Sequence, residues 1–195
     1  MSLSNILKEK IAINIENVVA TSSLNQKINI QKILKQFPNS KYHPEKFPGA
    51  VIRLDNPRSV ILVFKSGSIV STGTHSENEA QNAINRFVLE ILRTQKLQNS
   101  VIQDMKIENV VASCNIQNKI HLEQAARVLP RSMYEPEQFP AIIHRLHHPK
   151  TVTLIFASGR IVCVGAKSSE EIQSSVNTVH MELQQHNLIL CDDAF

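Results

Sequence analysis

The feature that most constrains this chain is an internal repeat. Ile15-Glu16-Asn17-Val18-Val19-Ala20 returns as Ile107-Glu108-Asn109-Val110-Val111-Ala112. Tyr42, Pro44, Glu45, Phe47 and Pro48 return as Tyr134, Pro136, Glu137, Phe139 and Pro140. Arg53, Leu54 and Pro57 return as Arg145, Leu146 and Pro149, and Leu62, Phe64, Ser66, Gly67, Val70 and Gly73 as Leu154, Phe156, Ser158, Gly159, Val162 and Gly165. Every pair is separated by the same 92 positions, with no insertion between the first match and the last. A period this long lies beyond the roughly 20–50 residues of solenoid units. It fits two copies of one supersecondary unit related by a pseudo-twofold axis. Such a protein suits a target that is itself nearly two-fold symmetric: duplex DNA, a homodimer interface or a pseudo-symmetric pocket.

Within one copy, segment 11–21 is β-branched and alternating, and is read as a strand. Segment 29–37 has helical spacing and is stopped by Pro38. Segments 40–46, 49–54, 59–65 and 68–74 are read as short strands. Pro48-Gly49, Asn56-Pro57 and Ser66-Gly67 punctuate them with turn chemistry. Ser76-Glu77-Asn78-Glu79 is a capping box that opens a long helix to about Lys96, with Ala80, Ala83, Ile84, Phe87, Val88 and Ile91 as its apolar stripe. The second copy repeats the plan, with Ser168 and Glu171 as the box and Val176, Val179 and Leu183 on the stripe. The expected domains are 1–98 and 99–195, linked at 97–102. Each unit is strand, helix, four strands, helix, an α+β plan with helices on one face of an antiparallel sheet.

The strand patterns leave the other sheet face unaccounted for. In Val60-Ile61-Leu62-Val63-Phe64, alternation puts Val60, Leu62 and Phe64 on one face and Ile61 and Val63 on the other. Val152-Thr153-Leu154-Ile155-Phe156 behaves likewise. The helices of each repeat cover one face, and no further elements remain to cover the second. An exposed apolar sheet face marks an interaction surface. Its expected occupants are Asn17, Val19, Leu62, Phe64, Val70 and Thr72, matched by Asn109, Val111, Leu154, Phe156, Val162 and Val164. The minor groove of A·T-rich DNA fits such a face, since it offers acceptors at adenine N3 and thymine O2 and lacks the guanine amino group. Asn amides could donate to those acceptors, and Arg or Lys at the rim could hold phosphates. On this pattern alone a second copy of the protein fits the face as well as nucleic acid does.

The composition is that of a globular protein, with 42% apolar and 19% charged residues. The formal net charge of +4 permits a polyanionic partner without requiring one. No apolar run approaches the roughly 18 residues of a membrane span, so no membrane association is expected, and Met1-Ser2-Leu3-Ser4-Asn5 is not a signal or transit peptide. Cys114, Cys163 and Cys191 are distant and odd in number, which argues against a disulfide framework or zinc site and for a reducing compartment. Cys163 is expected in the core and Cys191 in the tail. His144, His147 and His148 sit near a strand end and turn, and no ordered Asp, Glu or Cys set completes a metal site. No nucleophile triad or phosphate-binding loop appears. The expectation is a chain without metal or cofactor that is not an enzyme.

Tyr42-His43-Pro44-Glu45-Lys46-Phe47-Pro48-Gly49 and Tyr134-Glu135-Pro136-Glu137-Gln138-Phe139-Pro140 resemble the stirrup segments of the TATA-box-binding family. Leu154-Ile155-Phe156-Ala157-Ser158-Gly159-Arg160-Ile161-Val162, leading to Gly165-Ala166-Lys167, is similar to that family's long signature. The Asn17 and Asn109 strands resemble its "xNxVA" segments. The likeness runs from about Ile11 to His186. It implies a ten-stranded antiparallel curved sheet, a saddle, with four helices on its convex face. It also implies a general transcription factor that binds and bends TATA-box promoter DNA. In this family Phe47 with Phe64 and Phe139 with Phe156 would be apolar wedges that kink the minor groove, a mechanism for which the family is itself the type example. Asn17 and Asn109 would meet bases. Val19, Val111, Val70, Val162, Leu62, Leu154, Thr72, Val164, Pro48 and Pro140 would line the groove floor. Arg53, Arg145, Ser66, Ser158, Arg160, Lys167 and Lys46 would contact phosphates. Glu135, Glu137 and Gln138 would receive transcription factor B or its eukaryotic counterpart IIB, with RNA polymerase engaged indirectly.

Several positions depart from the family pattern. Ser68 stands where the family has Lys, and Gly73-Thr74-His75 where it has Gly-Ala-Lys, so the first half loses two phosphate contacts. Val164 replaces the Thr that would match Thr72. Gln138 replaces a Leu of the second stirrup. The short lead before the first repeat and the close match of the halves resemble archaeal members. That implies a cytoplasmic, nucleoid-associated protein, or a nuclear one if the source is eukaryotic. The alternatives are a divergent paralogue that works mainly through protein contacts, a DNA glycosylase, and a homodimer formed through the open face without DNA. A glycosylase would need a further catalytic module, for which no residues remain.

Overall fold

The computed structural model describes residues 11–95 and 103–190. The expected link at 97–102, the end of the first long helix at Lys96 and Cys191 lie outside these residues. The described chain forms two compact units, one spanning Ile15–Val111 with Gly165–Ser169, the other Ala112–Val164 with the residues from Glu170 onward and those up to Asn14.

The first repeat runs β1 (Ile13–Ser23), α1 (Ile30–Gln36), β2 (Gly49–Asp55), β3 (Arg58–Phe64), β4 (Ser68–Thr74) and α2 (Glu77–Gln95). Asn29 caps α1 by accepting from the Lys32 N–H at 3.2 Å. The first half of the capping box of α2 forms, the Glu79 N–H donating to Ser76 Oγ at 3.1 Å, while the Glu79 carboxylate reaches one residue past the cap and accepts from the His75 N–H at 2.9 Å. The stripe Ala80, Ala83, Ile84, Phe87, Val88 and Ile91 is fully buried, together with Ile61, Val63 and Ile69 of the sheet. Phe37 packs on Phe87 with ring centroids 5.8 Å apart. Glu77 Oε1 accepts from both the N–H and the hydroxyl of Ser169, the residue 92 positions on.

The second repeat runs β5 (Lys106–Asn115), β6 (Lys119–Ile120), α3 (Leu122–Val128), β7 (Ser132–Met133), β8 (Ala141–Arg145), β9 (Val152–Phe156), β10 (Arg160–Ala166), α4 (Ser169–Gln185) and β11 (Ile189–Leu190). Its core holds Ile142, Ile155, Ile161, Ile172, Val176, Val179 and Leu183. Cys163 lies in this core as expected, and Cys114 is buried as well. Desolvation pushes the Cys114 thiol up to about 11 and raises Cys163 too.

The hydrogen-bonded strand order is β2-β3-β4-β1-β5-β10-β9-β8-β7, with β6 and β11 paired in a separate two-stranded sheet. This is the expected antiparallel α+β plan with four helices among the described residues. It differs from the sequence reading in the tenth strand. Segment 40–46 contributes only a bridge, Lys41 to Val51. Pro44 has no N–H to give a ladder, and residues 44–46 turn instead. The β6–β11 pair went unread, because two-residue strands carry no periodicity. His144 lies at the end of β8, next to its last residue Arg145. His144 is almost wholly buried, with Nε2 2.9 Å from the Glu182 carboxylate and Nδ1 3.1 Å from the Ser132 hydroxyl. Alternation along β8 sends it to the same side as Ile142. His147 and His148 stack in the turn, with centroids 4.9 Å apart. No group of three or more metal-ligating side chains occurs among the described residues.

Candidate nucleic-acid interface

The alternation expected from the sequence appears in the burial of β1, β3 and β9 and over most of the other long strands. In β3, Ile61 and Val63 are buried while Val60, Leu62 and Phe64 are half-exposed. In β1, Val18 and Ala20 are buried while Asn17 and Val19 are half-exposed. In β4, Val70 and Thr72 share the open side, and in β5, β9 and β10 so do Asn109, Val111, Leu154, Phe156, Val162 and Val164. The expected Val60 and Val152 lie on this face, and two further members, Val51 and Ile143, were missed. Val51 pairs in register with Leu62, and Ile143 with Leu154; Val60 pairs with Thr72, and Val152 with Val164. Val51 and Ile143 show the same half-buried alternation, a signal the sequence already carried.

Two phenylalanines meet in each repeat. The stirrup turn is held by the Lys46 and Phe47 N–H groups, which both donate to the His43 carbonyl at 2.9 Å. It delivers Phe47 onto Phe64, whose Cα partner across the ladder is Gly49. The centroids lie 5.6 Å apart at 67°. In the second repeat the Gln138 and Phe139 N–H groups donate to the Glu135 carbonyl at 2.9 Å, and Phe139 meets Phe156 at 6.1 Å and 67°. Phe47 and Phe139 are each 38% exposed, a high value for a ring with no polar handle. Pro48, Pro140, Glu135, Glu137, Gln138 and Lys46 are exposed along these turns. Each strand-borne Phe is followed by a tight turn in which the Gly67 or Gly159 N–H donates back to the Phe64 or Phe156 carbonyl. Gly67 has φ +96°, and a Cβ there would lie 2.3 Å from the Leu24 carbonyl oxygen; Gly159 has φ +84° and an equally close Asn118 oxygen at 2.2 Å. Neither site admits a side chain.

The asparagines are held by their oxygens. Asn17 Oδ1 accepts from the Gly73 N–H at 2.7 Å and from the Thr72 hydroxyl at 3.1 Å. Asn109 Oδ1 accepts from the Gly165 N–H at 2.8 Å. Committing the oxygen orients each amide, so that its two N–H donors are what it presents to a ligand. Val164 has no hydroxyl to match Thr72, so the second amide is held once rather than twice.

The cationic side chains at the sheet margin differ between the repeats. Arg53 and Arg145 are exposed on β2 and β8, and Arg160 and Ser158 on the second tight turn. At the position equivalent to Arg160, the Ser68 N–H donates to Ser66 Oγ at 3.3 Å and the two hydroxyls lie 3.0 Å apart. At the position equivalent to Lys167, His75 Nδ1 lies 3.0 Å from the Ile15 carbonyl oxygen. Lys167 itself bonds the Glu108 carbonyl and lies 3.4 Å from its carboxylate. Glu108 is held below the usual carboxylate range, first by the Thr21 hydroxyl and then by Lys167.

A family model described as transcription factor TFIID, or TATA-binding protein, matches residues 12–94 and again 104–186. The chain belongs to the TATA-binding protein family. The TATA-box-binding protein of Pyrodictium occultum is 43% identical over 172 residues, covering 88% of this chain and 86% of that one. Its counterpart in Pyrobaculum calidifontis is 36% identical over 179 residues, covering 92% and 89%. The solved structure of Methanococcus jannaschii TBP superimposes with a TM-score of 0.79 at 34% identity, over 89% of this chain and 98% of that one. TATA-binding proteins are transcription factors, so this chain is not an enzyme. No described helix is long and apolar enough to cross a membrane.

Proposed function

We propose that this protein binds the minor groove of A·T-rich, TATA-type promoter DNA and bends it by inserting its two phenylalanine pairs between base steps. The observation that carries the reading is the pair of amides fixed by their oxygens on a half-exposed apolar face. Donors presented to adenine N3 and thymine O2 find acceptors there. The guanine amino group would instead meet a donor and the flanking Val19 and Val111. Opening a base step costs a few kcal/mol and is offset by the larger contact that bent DNA allows. Phosphates fall to Arg53, Arg145, Arg160, Ser66, Ser158, Lys46 and Lys167, the last exchanging its Glu108 contact for the phosphate. The exposed second stirrup, Glu135, Glu137 and Gln138, is the surface offered to transcription factor B, through which RNA polymerase is recruited. Without DNA the same open face would serve a homodimer, in competition with DNA.

The test replaces A·T pairs of a TATA duplex by inosine·cytosine, which keeps the minor-groove floor free of an amino group while changing the major groove. Binding should survive that exchange and fail with guanine·cytosine. Equal loss with both would reject minor-groove reading.

The rim makes a second expectation. A Ser68→Lys and His75→Lys double variant adds two cations where the second repeat carries Arg160 and Lys167. Each new phosphate contact steepens log K against log salt by about 0.9, so the slope should grow by up to about 1.8. Titrations at several salt concentrations decide it, and an unchanged slope means these positions do not face phosphates.

A further inference from the structure

The two phenylalanine pairs share an interplanar angle of 67° and differ in spacing, 5.6 Å against 6.1 Å. The difference is therefore a displacement of one ring from the other rather than a tilt. The residue opposite the strand-borne Phe also differs. It is Gly49 against Phe64 in the first repeat and Ala141 against Phe156 in the second. Gly49 is buried beneath its rings. A Cβ built there would lie 2.7 Å from Phe47 Cε1 and 2.9 Å from Phe64 Cε1, closer than carbon atoms approach. The first pair can close to its observed spacing only because no methyl stands there. The second repeat carries that methyl, and its rings stand half an ångström further apart.

We infer that the residue following the stirrup proline, Gly49 in one repeat and Ala141 in the other, sets the width of each aromatic wedge, so that the two pairs open their base steps unequally. Gly49 and Ala141 are positioning residues that act through the rings. No positive φ is recorded at Gly49, so its role is space rather than backbone freedom. The wider pair fills more of a base step and should unstack it further. The inference rests on the DNA reading above, yet its first half is a property of the free protein.

Two readouts separate the claims. In crystal structures of the free variants, Gly49→Ala should widen the first pair toward 6.1 Å, and Ala141→Gly should close the second toward 5.6 Å. Ala141→Gly only removes atoms, so it serves even if Gly49→Ala folds poorly. Spacings that stay put in these variants overturn the inference whatever happens on DNA. The second readout is 2-aminopurine fluorescence on a palindromic A·T duplex, which reports unstacking at both steps together. Gly49→Ala should raise the signal, Ala141→Gly should lower it, and the double exchange should restore the wild-type value. Signals unmoved by either single variant, with binding intact, reject the wedge-width claim and leave the DNA reading standing. A wild-type protein that neither binds nor unstacks the duplex would sink the DNA reading itself and, with it, this one.

Discussion

Replacing Phe64 and Phe156 together by Ala should abolish bending of a TATA duplex and weaken binding on the order of a thousandfold. The magnitude follows from treating each ring as an anchor whose truncation costs about 2 kcal/mol, so that two cost about 4 kcal/mol. These are the strand-borne members, each held by a ladder and by the tight turn behind it. Phe47 and Phe139 would remain on their turns with nothing to brace them. The fold should survive, since both positions lie on the half-exposed face, away from the buried stripes under α2 and α4. Circular permutation shift or energy transfer between end labels measures the bend, and thermal unfolding checks the fold. A double variant that bends DNA as the parent does would remove the phenylalanines from the mechanism.

Exchanging Asn17 and Asn109 for Asp tests the donor half of the argument with almost no change of shape. A carboxylate can still accept from the Gly73 and Gly165 N–H groups, so the free protein keeps the contacts that now hold the amides. What changes is the outward side, where two N–H donors become charged acceptors facing the acceptors of the groove floor. A desolvated polar group left without a partner costs about 1–3 kcal/mol, and more when it is charged. The pair should therefore lose on the order of a thousandfold in affinity or more. Asn→Ala at both positions should lose less, because it removes the donors without adding repulsion. If the Asp variant binds TATA DNA as tightly as the Ala variant, the amides do not face base acceptors.

Much of this site was readable before any coordinates. The repeat placed Phe47 and Phe139 in equivalent turns, and alternation separated Ile61 and Val63 from Leu62 and Phe64, though both sets are apolar. Helix stripes were equally legible, since Ala80 to Ile91 follows one face of a 3.6-residue period. The features that escaped are those no local pattern encodes. Nothing near Asn17 in the sequence points to the Gly73 N–H, 56 positions away, that orients its amide. Lys167 reads as a free cation, yet it lies against Glu108 across 59 positions. The strand end at His144 was legible, but its partner Glu182, 38 positions away on α4, was not. The difference between Gly49 and Ala141 is visible in the letters but means nothing without the rings above them.

The Glu77–Ser169 hydrogen bonds join residues that occupy the same place in the two repeats, with a carboxylate on one side and a hydroxyl and N–H on the other. A chimera made of two copies of the first repeat would bring glutamate against glutamate there, and one made of two second repeats would pair serine with serine. The present match needs one of each. At this one point the two halves are complementary rather than identical.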